Sequence, residues 1–328
     1  MESIGTVWMW AGFAVVVVAM LAIDLFLVGG GKSHKVSAKE AGIWTVVWVS
    51  VAMLFAGVLW WYLDGTLGRE AANARTLEFV TGYLIEKALA VDNVFVWLML
   101  FSFFAVPPEL QKRVLLYGVL GAIVMRTGMI FAGAWLISQF HWVLYVFGAF
   151  LLLSGVKMLF SREEHHPDLA QNPLLRFLRR HLRVTEELHD GHFFVRKRPE
   201  GATHHLLYAT PLFLALVLIE LADLVFAVDS VPAVFAITQD PFIVYTSNIF
   251  AILGLRSLYF ALAALMHRFV YLKYALALVL IFIGGKIFLH GFIGKIPALL
   301  SLGVTFGLLA GGVLLSLLKT RNRPEQES

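Results

Sequence analysis

Two stretches of this sequence align without a gap, Tyr83-Leu-Ile-Glu86-Lys-Ala-Leu-Ala-Val-Asp92-Asn93-Val94 and Glu220-Leu-Ala-Asp223-Leu-Val-Phe-Ala-Val-Asp229-Ser230-Val231. In this alignment Glu86 stands opposite Asp223, and Asp92 stands opposite Asp229. Both stretches lie in long apolar runs, where acidic residues are rare because a charge is costly in hydrocarbon. Matched acids at matched spacing therefore indicate an internal repeat.

The similarity continues along the next two apolar runs of each half. A single arginine follows in each, as Met125-Arg126-Thr127 and Leu255-Arg256-Ser257, and the third runs end as Gly155-Val-Lys157 and Gly284-Gly-Lys286. The repeat is thus three helices long, and an odd number of helices makes the second copy cross the membrane in the opposite direction. Inverted repeats are a recurring plan of secondary transporters, whose sites lie near the midplane between the copies.

The composition is that of a membrane protein. The mean hydropathy is +0.80, with 59% hydrophobic and 15% charged residues, which lies outside the range of ordinary soluble domains. A helix needs roughly 20 apolar residues to cross the hydrocarbon. We predict an all-α, polytopic transmembrane helical bundle of about nine spans with two inverted three-helix repeats. The nine runs lie at residues 6–28, 41–63, 79–103, 114–137, 142–160, 207–231, 243–265, 271–290 and 296–318.

The predicted organisation has five parts. They are two N-terminal transmembrane helices at 1–78, the first repeat at 79–160, a charged connection at 161–206, the inverted second repeat at 207–290, and a last transmembrane helix with its tail at 291–328.

The distribution of positive charge predicts the orientation. Eighteen of the 26 Lys and Arg residues fall in alternate connections and the C-terminal tail, three fall in the opposite connections, and five lie inside spans. Lys and Arg accumulate on the cytoplasmic side of membrane proteins. We therefore expect the N-terminus outside and the C-terminus in the cytoplasm. The first apolar run has no basic residue before it, so we expect a retained span rather than a cleaved signal peptide.

Several function classes find little support. The chain has no cysteine, which excludes disulfides, thiol redox centres and thiolate metal ligands. The net charge of +4 reflects membrane orientation rather than nucleic-acid binding. Neither the His-Glu-x-x-His zinc motif nor the Gly-x-Ser-x-Gly nucleophile motif occurs. We expect no enzyme activity, no resident cofactor and no nucleic-acid partner; the lipid bilayer is a partner, and protein partners are not indicated.

Five acids inside the two repeat-leading spans carry the functional argument: Glu86, Asp92, Glu220, Asp223 and Asp229. Each costs about 2.5–3.5 kcal/mol at the centre of a span that faces lipid. An aqueous cavity, protonation, internal pairing with Lys87, Arg126 or Arg256, or a bound cation would offset this cost. Three basic residues leave two acids in excess, and a divalent cation would balance them. Arg126, Arg256 and Lys87 would then hold the acids in place from behind.

The available ligand atoms narrow the choice of ion. Asn93 and Ser230 could add amide and hydroxyl oxygens to the carboxylates, while neither acidic span contains His. An all-oxygen set suits Mg²⁺, Ca²⁺ or Mn²⁺ and disfavours Zn²⁺, Cu²⁺ or Ni²⁺. The residues alone do not choose among the three ions. Carboxylates that lose a metal can take up protons, which makes metal–proton exchange a natural coupling hypothesis.

Helical geometry predicts how the acids are presented. At about 100° per residue, Asp92 and Asp229 point about 120° away from Glu86 and Asp223 on their helices. We therefore expect either a wide cavity-lining face or local unwinding near Asp92 and Asp229, with Pro232 favouring a break in the second copy.

Two further polar residues lie within spans. For Asp24, at the end of the first span, snorkelling or a local ion pair is favoured over metal binding. Asn248 would either add an oxygen ligand or make a polar helix contact.

The connection 161–206 contains seven of the 11 histidines, including His165-His166 and His204-His205. These residues show no metal-ligand spacing, so a solvated linker is favoured over a metal-sensing element. One short amphipathic helix is expected from Pro173 to Arg183.

The two acidic stretches, extended to Gly82 and Pro232, resemble those of the TerC family, and the resemblance covers nearly the whole chain. That family is associated with tellurite resistance by name and with manganese efflux, and it looks like a branch of the LysE exporter superfamily. The resemblance implies Mn²⁺ export from the cytoplasm across a bacterial inner membrane, with the acidic motifs carrying the ion. The alternative is an interaction protein that uses the connection 161–206 to serve a membrane complex in stress or redox homeostasis.

Overall fold

The computed structural model describes residues 3–24, 37–140, 142–160, 173–197, 205–263, 271–293 and 298–321. These residues confirm the predicted all-α membrane bundle. They form eleven α-helices: α1 (Val7–Ile23), α2 (Ala38–Leu67), α3 (Arg69–Phe103), α4 (Pro108–Gln139), α5 (Val143–Phe160), α6 (Pro173–His181), α7 (Pro211–Phe235), α8 (Pro241–Leu253), α9 (Leu255–Ala263), α10 (Leu272–Ile293) and α11 (Ala298–Arg321).

Within the described ranges, five helices are long and apolar enough to cross a membrane. They are α4, α5, α7, the segment Lys39–Leu67 of α2 and the segment Leu300–Lys319 of α11. The bent pair of α8 and α9 would make a sixth span. The apolar helix α1 is 17 residues long, and α3 has 35 residues but carries charged side chains along its length. The count of nine spans therefore stays a prediction.

The predicted unwinding near Asp92 and Asp229 is wrong, because α3 and α7 are continuous at these positions. Pro232 lies inside the last turns of α7 without ending the helix. The break occurs at Gly254 instead, where α8 and α9 meet at 43°. The other expected arrangement, a wide cavity-lining face, stays a prediction, because the side chains of Asp92 and Asp229 lie outside what the structure describes.

The helices of the two predicted repeats pack in a reciprocal pattern. The leading helices α3 and α7 contact each other, α4 packs on α7, and α8 packs on α3. The third helices, α5 and α10, make the most extensive pairing. Glycine allows this close approach, since a Cβ on Gly284 would lie 2.7 Å from the Gly148 carbonyl oxygen. Exchanging the two triads would reproduce these contacts, although the inverted repeat itself stays a prediction.

The described part of the connection between α5 and α7 contains regular secondary structure. The predicted amphipathic helix is present as α6 and ends at His181, two residues earlier than expected. A one-turn 3-10 helix, His189–Gly191, precedes an antiparallel strand pair, β1 (Phe194–Lys197) and β2 (Leu206–Ala209). The expected linker missed this hairpin, although both strands contain β-favouring residues. His165, His166 and His204 lie outside the described residues.

Candidate functional site

Arg126 forms the centre of the candidate site. It lies in the middle of α4, its side chain is only 1% exposed, and its guanidinium points toward α7. There it binds Asp223 in a two-pronged arrangement. Nε donates to Oδ2 at 3.2 Å, and Nη2 donates to Oδ1 at 3.0 Å. This geometry is the strongest form of arginine–carboxylate pairing, because both hydrogen bonds are charge-assisted.

The same guanidinium also reaches α3. Nη1 pairs with Oε1 of Glu86 and donates to the Ser230 hydroxyl of α7 at 3.2 Å. The Asn93 amide of α3 donates to Asp223 Oδ1 at 3.0 Å. Side chains from both acidic motifs therefore meet around one arginine, and all of them are buried.

The described part of this cluster carries excess negative charge. Two carboxylates, Glu86 and Asp223, surround one guanidinium. Glu86 Oε2 and Asn93 Oδ1 are buried and have no hydrogen-bond partner among the described residues. Both oxygens are good ligands for a hard cation or acceptors for water.

A cavity of about 50 Å³ adjoins these side chains. It is lined by Glu86, Leu89, Asn93, Arg126, Met158, Phe226, Ser230 and Leu280. A single water needs roughly 10–15 Å³, so the cavity has room for an ion or a few waters. Its walls come from both predicted repeats, as expected for a site between them.

Glu220 lies one turn before Asp223 on α7 but does not join the arginine cluster. Its carboxylate packs directly against Gly121 of α4, where any side chain would collide with it. Oε2 is buried without a hydrogen-bond partner among the described residues. This contact at Gly121 was not predicted from the sequence. The available signal for it is a small residue one to two turns before Arg126 in an otherwise apolar helix.

The side chains of Asp92 and Asp229 lie outside what the structure describes; only their helical backbones are defined. Of the five predicted acids, the structure thus brings Glu86 and Asp223 together and places Glu220 one turn away. Among the described side chains, no three His, Cys, Asp or Glu residues form a group that could hold a metal ion.

Arg256 has a partner outside the motif acids, while its predicted contact with Asp92 or Asp229 concerns side chains that the structure does not describe. Its guanidinium pairs with Asp24 at the end of α1, with Nη2 at 2.9 Å from Oδ1, and it also donates to the Asp24 carbonyl oxygen. Both side chains are buried. The reason is positional, because α9 starts after the Gly254 break and packs against α2 instead of α7. Asp24 therefore has an ion-pair partner, although a distant one in sequence.

Lys87 also points away from the acids. Its ammonium donates to the carbonyl oxygen of Ala251 at 3.1 Å, in the last turn of α8. A helix break frees carbonyls in the last turn, and a positive charge there interacts favourably with the helix dipole. Lys87 thus stabilises the end of α8, and it makes no ion pair with Glu86, Glu220 or Asp223 in the described part of the chain.

Asn248 remains open between its two predicted roles. Its side chain is fully buried in α8, and neither amide atom has a hydrogen-bond partner among the described residues.

Comparison with known proteins identifies the family. Residues 71–324 match the family described as "Integral membrane protein TerC family". The chain belongs to the TerC family. This TerC protein is 58% identical over 309 residues to "Putative membrane-bound redox modulator Alx" of Escherichia coli (strain K12), and the match covers 94% of each chain.

Further relatives of this TerC chain come from other bacteria. The Alx protein of Photorhabdus laumondii is 52% identical over 317 residues, covering 97% of each chain. "Uncharacterized membrane protein STKORF319" of Myxococcus xanthus is 44% identical over 327 residues, covering 99% of this chain and 97% of the relative. No solved structure matches the chain. The family assignment and the apolar helices together make it a multi-pass integral membrane protein.

Proposed function

We propose that this protein is a non-enzymatic transporter that exports a divalent cation, Mn²⁺ in preference to Mg²⁺ or Ca²⁺, across the bacterial inner membrane. The carrying observation is the buried cluster in which Glu86 of α3 and Asp223 of α7 share the single cation of Arg126. Acids from both leading helices meet there with negative charge to spare.

A purely structural ion-pair network is the competing interpretation of this cluster. Such a network stabilises a fold only when its polar atoms are satisfied, because an unpaired buried polar group costs about 1–3 kcal/mol. Glu86 Oε2 and Asn93 Oδ1 are unsatisfied among the described residues and adjoin a cavity. These features favour a site that receives a cation over a network that is complete without one.

Arg126 holds the carboxylates of Glu86 and Asp223 in place. In the absence of the cation, its guanidinium keeps the carboxylates from repelling one another. When a divalent ion binds the free oxygens, it competes with Arg126 for the same negative charge. The carboxylates of Asp92 and Asp229, one helical turn or more along α3 and α7, would complete an all-oxygen ligand set.

The resemblance to TerC proteins, rather than ligand softness, favours Mn²⁺ among the hard divalent ions. Export and proton exchange are parts of the same proposal. Release of the metal leaves several carboxylates close together, and protonation would relieve their repulsion. An N-terminus outside and a C-terminus in the cytoplasm complete the proposed arrangement.

Reconstituted flux tests this function directly. The full chain in proteoliposomes should move Mn²⁺ faster than Mg²⁺ or Ca²⁺, and a pH gradient should change the rate. Asp223→Asn, Asp92→Asn and Asp229→Asn should each lower Mn²⁺ flux at least tenfold while the protein still inserts. Glu78→Gln is the matched control, because Glu78 is a buried acid of α3 outside the cluster, and the glutamine carbonyl can still accept the hydrogen bond from Arg75 Nη1. Flux that is unchanged in the three variants would refute the proposal.

The name of the Alx relatives, membrane-bound redox modulator, supports a second candidate, a role in redox homeostasis without transport. The absence of cysteine means that any such effect must be indirect, either through a metal or through a partner protein. A chain lacking residues 161–206 separates the two functions. A non-transporting interaction protein should lose its stress phenotype on this deletion and tolerate the three Asn variants. A transporter should instead lose its function in the three Asn variants.

A further inference from the structure

The described part of the connection 161–206 adjoins a helix that is long and apolar enough to span the membrane. Strand β2 ends at Ala209, and α7, an apolar helix long enough to span the membrane, begins at Pro211. Thr210 fixes the junction, since its N–H and its hydroxyl donate to the carbonyls of Phe193 and His192. No flexible spacer separates the hairpin from the membrane-spanning helix.

Helix α6 is attached to the same junction. After α6 ends, the carbonyl of Arg183 accepts a hydrogen bond from the Ala209 N–H, and the Thr185 N–H donates to the Ala209 carbonyl. Leu175 and Leu178 on α6 pack toward the core. The helix is therefore held against the protein by one face and close to the bilayer surface.

The other face of α6 is strongly basic. Arg176, Arg179 and Arg180 are all exposed, and Phe177 is 55% exposed beside them. The hairpin adds the exposed Arg196 and a 43% exposed Phe194. Among the described side chains of residues 173–197, the exposed acids are Glu186 and Glu187, and Glu187 is paired with Lys197 at 3.2 Å. Positive charge thus dominates the surface of α6 itself.

We propose that α6 and the β1–β2 hairpin form a docking surface for anionic phospholipid headgroups. Basic side chains near a membrane surface attract anionic lipids, and aromatic side chains favour the headgroup level. Arginine also binds phosphate in a planar, two-pronged geometry. The direct continuity with α7 favours the bilayer over a soluble partner, because it keeps the basic face at headgroup height. The role is independent of cation transport.

A single fluorescent label tests this proposal cleanly, because the chain has no cysteine of its own. Phe177→Cys, labelled with a polarity-sensitive dye, should show a blue-shifted emission in nanodiscs of equal parts phosphatidylcholine and phosphatidylglycerol. Nanodiscs of phosphatidylcholine alone should not produce the shift. Raising the salt to about 1 M shortens the screening length to about 3 Å and should remove most of the shift.

The matched variant is Arg176→Gln/Arg179→Gln/Arg180→Gln in the labelled chain. Each substitution should lower the equilibrium constant for docking of α6 on the anionic bilayer about fivefold, so the emission shift should be largely lost. Arg69→Gln, at the start of α3, should leave the shift intact. Amide hydrogen exchange of α6 in the unlabelled chain gives a second measure, and it should be slower in the anionic nanodiscs. Equal shifts in both lipids, a shift that survives the triple substitution, or a shift that inorganic phosphate reproduces in phosphatidylcholine nanodiscs would overturn the proposal.

Discussion

Arg126 and Arg256 hold the same position in the two predicted repeats, and both are almost completely buried. Their surroundings nevertheless differ. Arg126 joins two acids of the two leading helices, whereas Arg256 binds Asp24, which belongs to neither repeat. The helices that carry them differ too, because α4 is continuous and its counterpart is broken at Gly254.

Two arginines at matching places in the sequence thus have different partners in the structure. The second copy places a guanidinium at the equivalent position, but the break turns α9 toward the N-terminal helices. An acid from α1 then neutralises it. Among the described side chains, two motif acids, Glu86 and Asp223, pair with Arg126, and none pairs with Arg256.

The largest effect is expected for Arg126→Met. This substitution leaves Glu86 and Asp223 buried without their cation, which should lower the free energy of unfolding by about 3–5 kcal/mol. Thermal unfolding in detergent, followed by tryptophan fluorescence, measures the loss. Added Mn²⁺ should restore part of it, because the freed carboxylates would bind the ion. An Arg126→Met protein as stable as wild type without metal would contradict the prediction.

Arg256→Met should cost less, about 3 kcal/mol, because it strands the single carboxylate of Asp24. The double variant Arg256→Met/Asp24→Leu should recover most of the stability in the same unfolding assay. Mn²⁺ flux per folded molecule should stay near the wild-type rate. If flux falls as far as it does in Asp223→Asn, the two arginines serve the same site and the contrast between them fails.

Gly254→Ala should destabilise the protein by about 1–3 kcal/mol. The added Cβ would lie 2.7 Å from the Lys87 ammonium and 3.2 Å from Trp48 Cβ, so the lysine must move off the end of α8. Gly285→Ala is the control, since no atom lies near its added Cβ. The double variant Gly254→Ala/Lys87→Met should lose less unfolding free energy than the sum of the two single variants. An additive loss would show that Lys87 does not stabilise the helix break.

Ser230→Ala is expected to have the smallest effect, about 1 kcal/mol, because it removes only the hydroxyl that accepts from Arg126 Nη1. Ser257→Ala is a matched control on α9, where the buried hydroxyl has no hydrogen-bond partner among the described residues. The control should be neutral in the same melting experiment. Equal losses in both variants would remove Ser230 from the cluster.

Much of the bundle could be predicted from sequence, because apolar length and matched acids are local signals. Apolar length predicted the helices, and the excess of acids pointed to Glu86 and Asp223. Partner choice was not predictable. The carboxylate that neutralises Arg256 lies 232 residues earlier in the chain, and no spacing rule connects them.

The break was misplaced for a related reason. The angular separation of Glu86 and Asp92 on a helix suggested unwinding, but this reasoning treated each helix alone. In the folded protein α3 is continuous through Asp92, and Glu86 finds its partner, Arg126, on α4. The helix that does break does so at Gly254, where Lys87 from α3 supplies a partner for a freed carbonyl. That compensation exists only in three dimensions.

Glu86 and Lys87 are consecutive residues of α3, so their side chains leave the helix about 100° apart. One is attached to α4 and the other to the kinked end of α8. Any turning of α3 about its own axis must therefore shift both attachments together. A rotation of α3 that separates Glu86 from Arg126 would therefore also displace Lys87 from the Ala251 carbonyl, which couples the arginine cluster to the α8–α9 junction.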